Sequence, residues 1–201
     1  MTSQATRARI VDAVLATLAA EGFAGASARS IARTGGFNQA LIYYHFGSIE
    51  NLMVAALQEF SERRLERYRE ALASVRSVAE LIGALADLYE QDVASGRVAA
   101  VQEIVAGASS SAELRRRVAE LVDPWTAFAG EVVRRLVRGT ALEPLIPLEE
   151  AAHALVALYF GVETLAHLDP DRSRASALFA AGSRLAPIFD AVLGPRRDGD
   201  A

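Results

Sequence analysis

A chain of 201 residues with 52% hydrophobic side chains can bury a substantial core, as one large domain or as a small one beside a larger one. It has no cysteine, which excludes disulfides and thiolate metal sites, and no extended run alternates with period two, so an all-helical class is expected. The net charge of −4 is unevenly spread, +1 over residues 1–50 and −5 over the rest, which disfavours indiscriminate coating of nucleic acid.

Met1 to Ala5 reads as a mobile arm. A first helix is expected from Thr6 to Ala20, with Ile10, Val14 and Leu18 at i, i+4 spacing beside Val11 and Leu15. Gly22 would stop it as a left-handed cap, and Phe23 would fold back on the last turn. The next stretch, Ala26 to Leu52, organises the chain and reads ASARSIARTGGFNQALIYYHFGSIENL. Two short helical runs flank Gly35-Gly36, which can supply the positive φ of a tight inter-helix turn. Ser27 and Asn38 suit the N-caps of the two runs. Ile31, Ala32, Phe37, Ile42 and Phe46 fall where two crossing helices can bury them together. Gln39, Ala40, Leu41, Tyr43, Tyr44 and His45 are left mostly outside that small core. A short helix presenting an amide, aromatic hydroxyls and an imidazole suits a DNA groove, although a plain helical hairpin whose aromatics pack elsewhere fits the same pattern.

Ser48 would cap a long helix running to about Ser74, with Glu50 in its first turn where the dipole favours an acid. Its later charges, Glu59 to Glu70, read as a solvated face of i, i+4 pairs. Because this helix starts at the reading head and ends in the body, it is expected to act as a lever between them. Further helices are expected over Val78–Ser95, closed by Gly96, and over Val98–Ala106. Ser109-Ser110-Ser111 supplies a turn and a cap before Glu113. Asp123-Pro124 restarts a helix carrying Trp125, Phe128, Val132, Leu136 and Val137. Two long helices finish the chain, Leu148 to Leu168 and, after Asp169-Pro170, one to about Leu193 that contains Pro187. Arg196 to Ala201 reads as a polar, disordered tail. No charged-then-apolar leader opens the chain, and no uninterrupted apolar run approaches the ~20 residues that span a bilayer, so a cytoplasmic protein without a membrane partner is expected.

The run S-A-R-S-I-A-R-T-G-G-F-N-Q-A-L-I-Y-Y-H-F-G-S-I-E-N-L resembles the helix-turn-helix signature of TetR/AcrR-type regulators. That pattern is Thr/Ser, Ile-Ala, a glycine turn, Leu-Tyr-x-His/Tyr-Phe and Lys-Glu-x-Leu, and the close match covers about a quarter of the chain. One departure is Ile49, where the family carries a Lys that commonly touches a DNA phosphate. The resemblance implies an all-α homodimer. Residues 1–50 would form a three-helix DNA-binding domain with a helix-turn-helix, and 51–201 a helical bundle for ligand binding and dimerisation. It also implies repression of transcription at a palindromic double-stranded DNA operator, relieved by a small-molecule effector.

Within that frame Arg29 can pair with guanine and Gln39 with adenine, and Ala40 or Leu41 can pack against a thymine methyl. Tyr43, Tyr44 and His45 carry donors suited to phosphate oxygens, and Ser27, Asn38 and Ser48 present caps and amides there. Each taken singly also fits an ordinary exposed or half-packed residue. Phe60, Tyr89, Trp125, Phe128 and Tyr159, with Met53 and Phe160, are candidate pocket walls or simply core. Glu163 can orient a polar group of a ligand or serve a surface pair, and filling such a pocket from Ala127 would alter induction. Ala154, Ala157 and Gly161, with Ala177 and Ala181, let two helices approach closely. That is a core hairpin or, as the resemblance implies, half of a four-helix dimer interface. The three histidines, His45, His153 and His167, give no metal site, because His153 and His167 lie about 21 Å apart along one helix. No nucleophile elbow, P-loop or dinucleotide-binding glycine motif occurs, so no catalytic residue and no cofactor are expected. Two other functions remain open: a DNA-bound dimer without ligand control, and a helical small-molecule enzyme with an appended DNA head.

Overall fold

The computed structural model describes residues 3–169 and 173–194, which form ten α-helices and, among these residues, no β-strand. In order they are α1 (Ser3–Gly25), α2 (Ala28–Gly35), α3 (Ala40–Phe46), α4 (Ile49–Ala71), α5 (Val78–Ser95), α6 (Arg97–Gly107), α7 (Ala112–Glu120), α8 (Asp123–Val137), α9 (Leu148–Leu168) and α10 (Ser173–Leu193). Of the expected N-terminal arm, Ser3–Ala5 belong to α1, and Met1 and Thr2 lie outside the described residues. So do Pro170, expected to restart the last helix, and the tail Arg196 to Ala201.

Local sequence explains most boundaries. Gly22 breaks the regular path of α1 with φ 70 and ψ 178. Ser27 caps α2 in a capping box: its Oγ accepts the Ser30 amide at 3.1 Å, and Ser30 Oγ accepts the Ser27 amide at 2.8 Å. Ser111 accepts the Leu114 amide at the head of α7, and Gly96 takes φ 68 between α5 and α6. Pro187 lies inside α10.

The chain forms two compact units. The first comprises the described residues up to Arg64 together with Asp92–Val122, and the second Leu65–Gln91 with the described residues from Asp123. In the first unit Ile10, Val14 and Leu18 of α1 are fully buried with Ile31, Ile42 and Leu52. Ala100 and Ile104 of α6 complete that core at 0% exposure, so the head is not closed by three helices alone. Each fully buried aliphatic side chain of this kind contributes roughly 1.5–3 kcal/mol. Polar ties accompany the packing: Glu103 Oε2 on α6 accepts the Phe23 amide at 2.8 Å, one of the donors left over where α1 breaks. Within the same unit the buried side chains of Arg64 and Asp92 pair at 2.5 Å between Nε and Oδ2.

In the second unit α8 packs against α9, and α9 against α10. Tyr68, near the end of α4, is buried beside Trp125 at 5.2 Å and Tyr159 at 5.9 Å between ring centroids. Edge-on packing of this kind places the positive rim of one ring against the negative face of the next. The Tyr68 and Tyr159 hydroxyls hydrogen-bond at 2.7 Å, which satisfies two polar atoms in an otherwise apolar interior.

Candidate nucleic-acid interface and effector cavity

The α2–α3 turn has a division of labour between its glycines. Gly36 takes the left-handed conformation, φ 63 and ψ 42, and its amide bonds back to Ala32 O and Arg33 O. Gly35 has no positive φ, in contrast to the expectation for both. It is small for a different reason: a Cβ there would lie 2.1 Å from the Phe37 ring and 2.8 Å from Ala13 Cβ. The turn thus needs one glycine for conformation and one for close approach.

At 100° per residue, Gln39, Ala40, Tyr43 and Tyr44 share one arc of α3, and Leu41, Ile42, His45 and Phe46 share the other. Burial follows that split. Gln39, Ala40, Tyr43 and Tyr44 are exposed, Tyr44 by 82%, whereas Ile42 is fully buried. Leu41 and Phe46 are half-buried against the head core, so Leu41 contributes more to packing than to the outer arc. His45 is half-buried and meets the Tyr44 ring edge-on at 5.0 Å. Arg29 is exposed on α2.

The three proposed caps are occupied by backbone. Ser27 serves the capping box, Asn38 Oδ1 accepts the Ala40 amide at 2.9 Å, and Ser48 Oγ accepts the Asn51 amide at 3.0 Å. Ile49, where a phosphate-binding Lys was expected by resemblance, has no donor and packs half-buried on the head core. Three contributors were not anticipated. Asn51 Nδ2 donates to Phe46 O at the end of α3, Arg117 of α7 donates to Asn51 Oδ1, and Arg9 of α1 donates to Gly36 O. Asn51 occupies only the unspecified position of Lys-Glu-x-Leu. Arg117 and Arg9 lie 66 and 27 residues from their partners, beyond the reach of motif reading.

The second unit holds an apolar cavity of about 40 Å³. Of the expected walls, Trp125, Phe128, Tyr159 and Phe160 line it, joined by Tyr68 and Ala129. Phe60 belongs to the first unit, and Met53 is part of the head core. Tyr89 is buried against the Phe179 ring at 5.3 Å, and Glu163 is buried one turn beyond Tyr159; neither lines the cavity. Ala127 is exposed, so it faces away from the cavity that its neighbour Phe128 lines.

On α9, Ala154 and Ala157 are exposed and Gly161 is half-buried, with nothing within 4 Å of where a Cβ would sit. On α10, Ala177 is exposed and Ala181 half-buried. Leu158, Leu165 and Leu168 share the α9 face and are 63%, 68% and 71% exposed. Leu178, Leu185, Ile188 and Val192 are likewise exposed on α10. Both helices are long and apolar enough to cross a membrane by length and composition alone. Their apolar content is divided between a side packed within the unit, such as Val156 and Tyr159, and this outward side.

Residues 10–56 match the family described as bacterial regulatory proteins, tetR family. The HTH-type transcriptional regulator UidR of Escherichia coli K12 is 27% identical over 182 residues, covering 90% of this chain and 91% of UidR. Among solved structures, the TetR-family regulator from Cytophaga hutchinsonii superimposes with a TM-score of 0.74 at 16% identity, over 93% of this chain and 96% of that one. The regulator FadR from Bacillus subtilis, solved in complex with stearoyl-CoA, gives 0.73 at 16% identity, over 89% of this chain and 96% of FadR. The matched segment runs from α1 through the turn into α4, so what the chain shares with the tetR family of bacterial regulatory proteins is its helix-turn-helix segment, within a fold like that of the TetR-family regulator from Cytophaga hutchinsonii.

Proposed function

We propose that this regulator acts in the cytoplasm as a homodimeric repressor that binds a palindromic DNA operator through α2 and α3 and is released by an apolar small molecule. In this reading residues 1–50 recognise DNA, and 51–201 bind the effector and dimerise. The observation that carries it is the outward arc of α3, where Gln39, Ala40, Tyr43 and Tyr44 stand exposed on a helix whose other side is fastened into the head core. A helix-turn-helix places such an arc in the major groove. Arg29 and Gln39 are the base-reading candidates, with Tyr43, Tyr44 and His45 on phosphates. Ser27, Asn38 and Ser48 hold the backbone that surrounds them.

The operator can be recovered by selecting duplexes from a random pool. The selected sequences are expected to be two inverted half-sites about one helical turn apart. Arg29→Ala and Gln39→Ala are each expected to weaken operator binding by about 1–3 kcal/mol and to relax preference at one base pair. Unchanged discrimination against a scrambled duplex in both variants would remove these residues from base readout.

The effector reading draws on the cavity. A site for a small molecule commonly occupies ~300–1,000 Å³, far above the 40 Å³ seen here. An effector seated in this cavity must therefore part the helices that carry Tyr68, Trp125 and Tyr159. Tyr68 is on α4, which also begins at the end of the head, so the same helix would feel the expansion. An effector can shift the DNA equilibrium only by its preference for the expanded shape, and a factor of ~100 corresponds to about 2.7 kcal/mol. The apolar walls favour an uncharged ligand body; FadR, bound to stearoyl-CoA, is a relative in fold whose ligand carries a long acyl chain. Ala129→Val adds two methyl groups at the cavity wall, unlike any change at the exposed Ala127. It is expected to leave operator affinity within about threefold while abolishing release by the apolar compound that releases the parent. Operator titrations with and without that compound measure this. Equal release in parent and variant would place the effector elsewhere.

Dimerisation is supported by the exposed apolar face shared by α9 and α10. The small residues Ala154, Ala157, Gly161, Ala177 and Ala181 allow close approach, and the exposed leucines around them supply apolar area that a second copy would cover.

A further inference from the structure

The geometry points to Arg9 as a positioning residue for DNA recognition, one that clamps the helix-turn-helix from α1 instead of neutralising a phosphate. Counting charges along the head would assign Arg9 to DNA. Its surroundings assign it otherwise. Arg9 Nη2 donates to Gly36 O at 2.9 Å, and the guanidinium lies over the Phe37 ring at 5.5 Å from its centroid. Gly36 is the left-handed residue that ends α2, so Arg9 places a cation where the carbonyl ends of that helix are exposed. Phe37 is the ring against which Gly35 is packed too closely to carry a Cβ. Arg9 therefore holds both the pivot of the turn and the side chain wedged beneath it.

Arg7 grips the other end of α3. Its guanidinium lies over the Phe46 ring at 5.1 Å and faces Glu59 at 3.6 Å. Arg33 is held by Glu21 at 2.6 Å, so three of the four head arginines are tied within the protein. α3 has seven residues and no side-chain cap from Gln39. A helix that short has no independent stability, so the angle at which it meets DNA is set by what holds its ends. A planar guanidinium can stack on an aromatic face while its fork donates to a carbonyl; an ammonium cannot do both in the same way.

This inference rests on α2 and α3 being the DNA-reading elements. The test compares parent, Arg9→Gln and Arg9→Lys on the selected operator and on a scrambled duplex across a salt series, with thermal melting of each protein. For a positioning role, Arg9→Gln lowers the operator-to-scrambled affinity ratio at least tenfold. The slope of log affinity against log salt stays within about 0.3 of the parent's, because no phosphate contact is lost. Arg9→Lys, which keeps the charge, still loses severalfold in the same ratio. The opposite pattern overturns the inference: both duplexes weakened alike by Arg9→Gln, a slope smaller by about 0.9, and a parent-like Arg9→Lys, which marks a direct phosphate contact. A parent-like ratio in both variants also overturns it, as does a loss of ratio that vanishes when binding is measured well below each variant's melting transition. Should Arg9→Gln fail to fold, Arg9→Lys decides by the same ratio. Failure of the parent to select any duplex would instead sink the DNA reading, and this inference with it.

Discussion

Leu165→Glu is expected to convert the protein to a monomer at micromolar concentration and to reduce operator affinity by several orders of magnitude. Leu165 is 68% exposed on the α9 face that also carries Leu158 and Gly161. In a single copy the substitution meets solvent, and surface changes of this type lie within about 0.5 kcal/mol of neutral for folding. In the proposed two-fold dimer the residue occurs once in each copy, so two carboxylates would enter an apolar interface without partners. The effective penalty is several kcal/mol per ion, and 4 kcal/mol is already close to a thousandfold in the dimer constant. DNA binding follows because one head reads only one half-site. Leu145→Glu is the control: Leu145 is 71% exposed but sits in the short turn Glu143–Leu145, off both terminal helices. Sedimentation at several concentrations should give a monomer for Leu165→Glu and a dimer for Leu145→Glu. A Leu165→Glu protein as dimeric as its parent would remove α9 from the interface.

Asp92→Ala is expected to destabilise the protein by about 3–5 kcal/mol, the cost of removing one partner of a buried ion pair. Arg64 and Asp92 are buried to 5% and 1% exposure. They are also the residues at which the chain leaves the first unit along α4 and re-enters it at the end of α5. Melting should fall by on the order of 10 °C. The double variant Arg64→Met with Asp92→Ala should recover most of the loss, since an apolar pair of similar volume avoids the desolvation of both ions. A double variant as unstable as Asp92→Ala would mean that Asp92 stabilises the fold through groups other than Arg64.

The reading head was largely legible from the sequence because its determinants are local. Ser27 and Ser48 find their partner amides three residues on, and α3 divides by simple helical periodicity into an exposed and a packed arc. Where the reading differed, the cause was non-local. Gly35 is constrained by Ala13 and Phe37 rather than by its own φ, and Leu41 is drawn onto the core shared by α1, α2, α4 and α6. Ile49 illustrates the same limit: the motif marked a missing cation, whereas packing shows an apolar residue serving the head core.

Helix class, the order of elements and the position of the helix-turn-helix were determined by the sequence itself, because caps, left-handed glycines and i, i+4 spacing act over a few residues. Only the tertiary structure decided which aromatics face one another. Tyr68 and Tyr159 pair across 91 residues of chain, Glu103 reaches Phe23 across 80, and no local signal couples such positions. It also decided which side of α9 is inside. Periodicity marks Val156, Tyr159, Leu158 and Leu165 alike as apolar, but the hydrophobic effect is non-directional, and only the neighbours supplied by α8, α10 and the end of α4 bury the first two and leave the leucines outward.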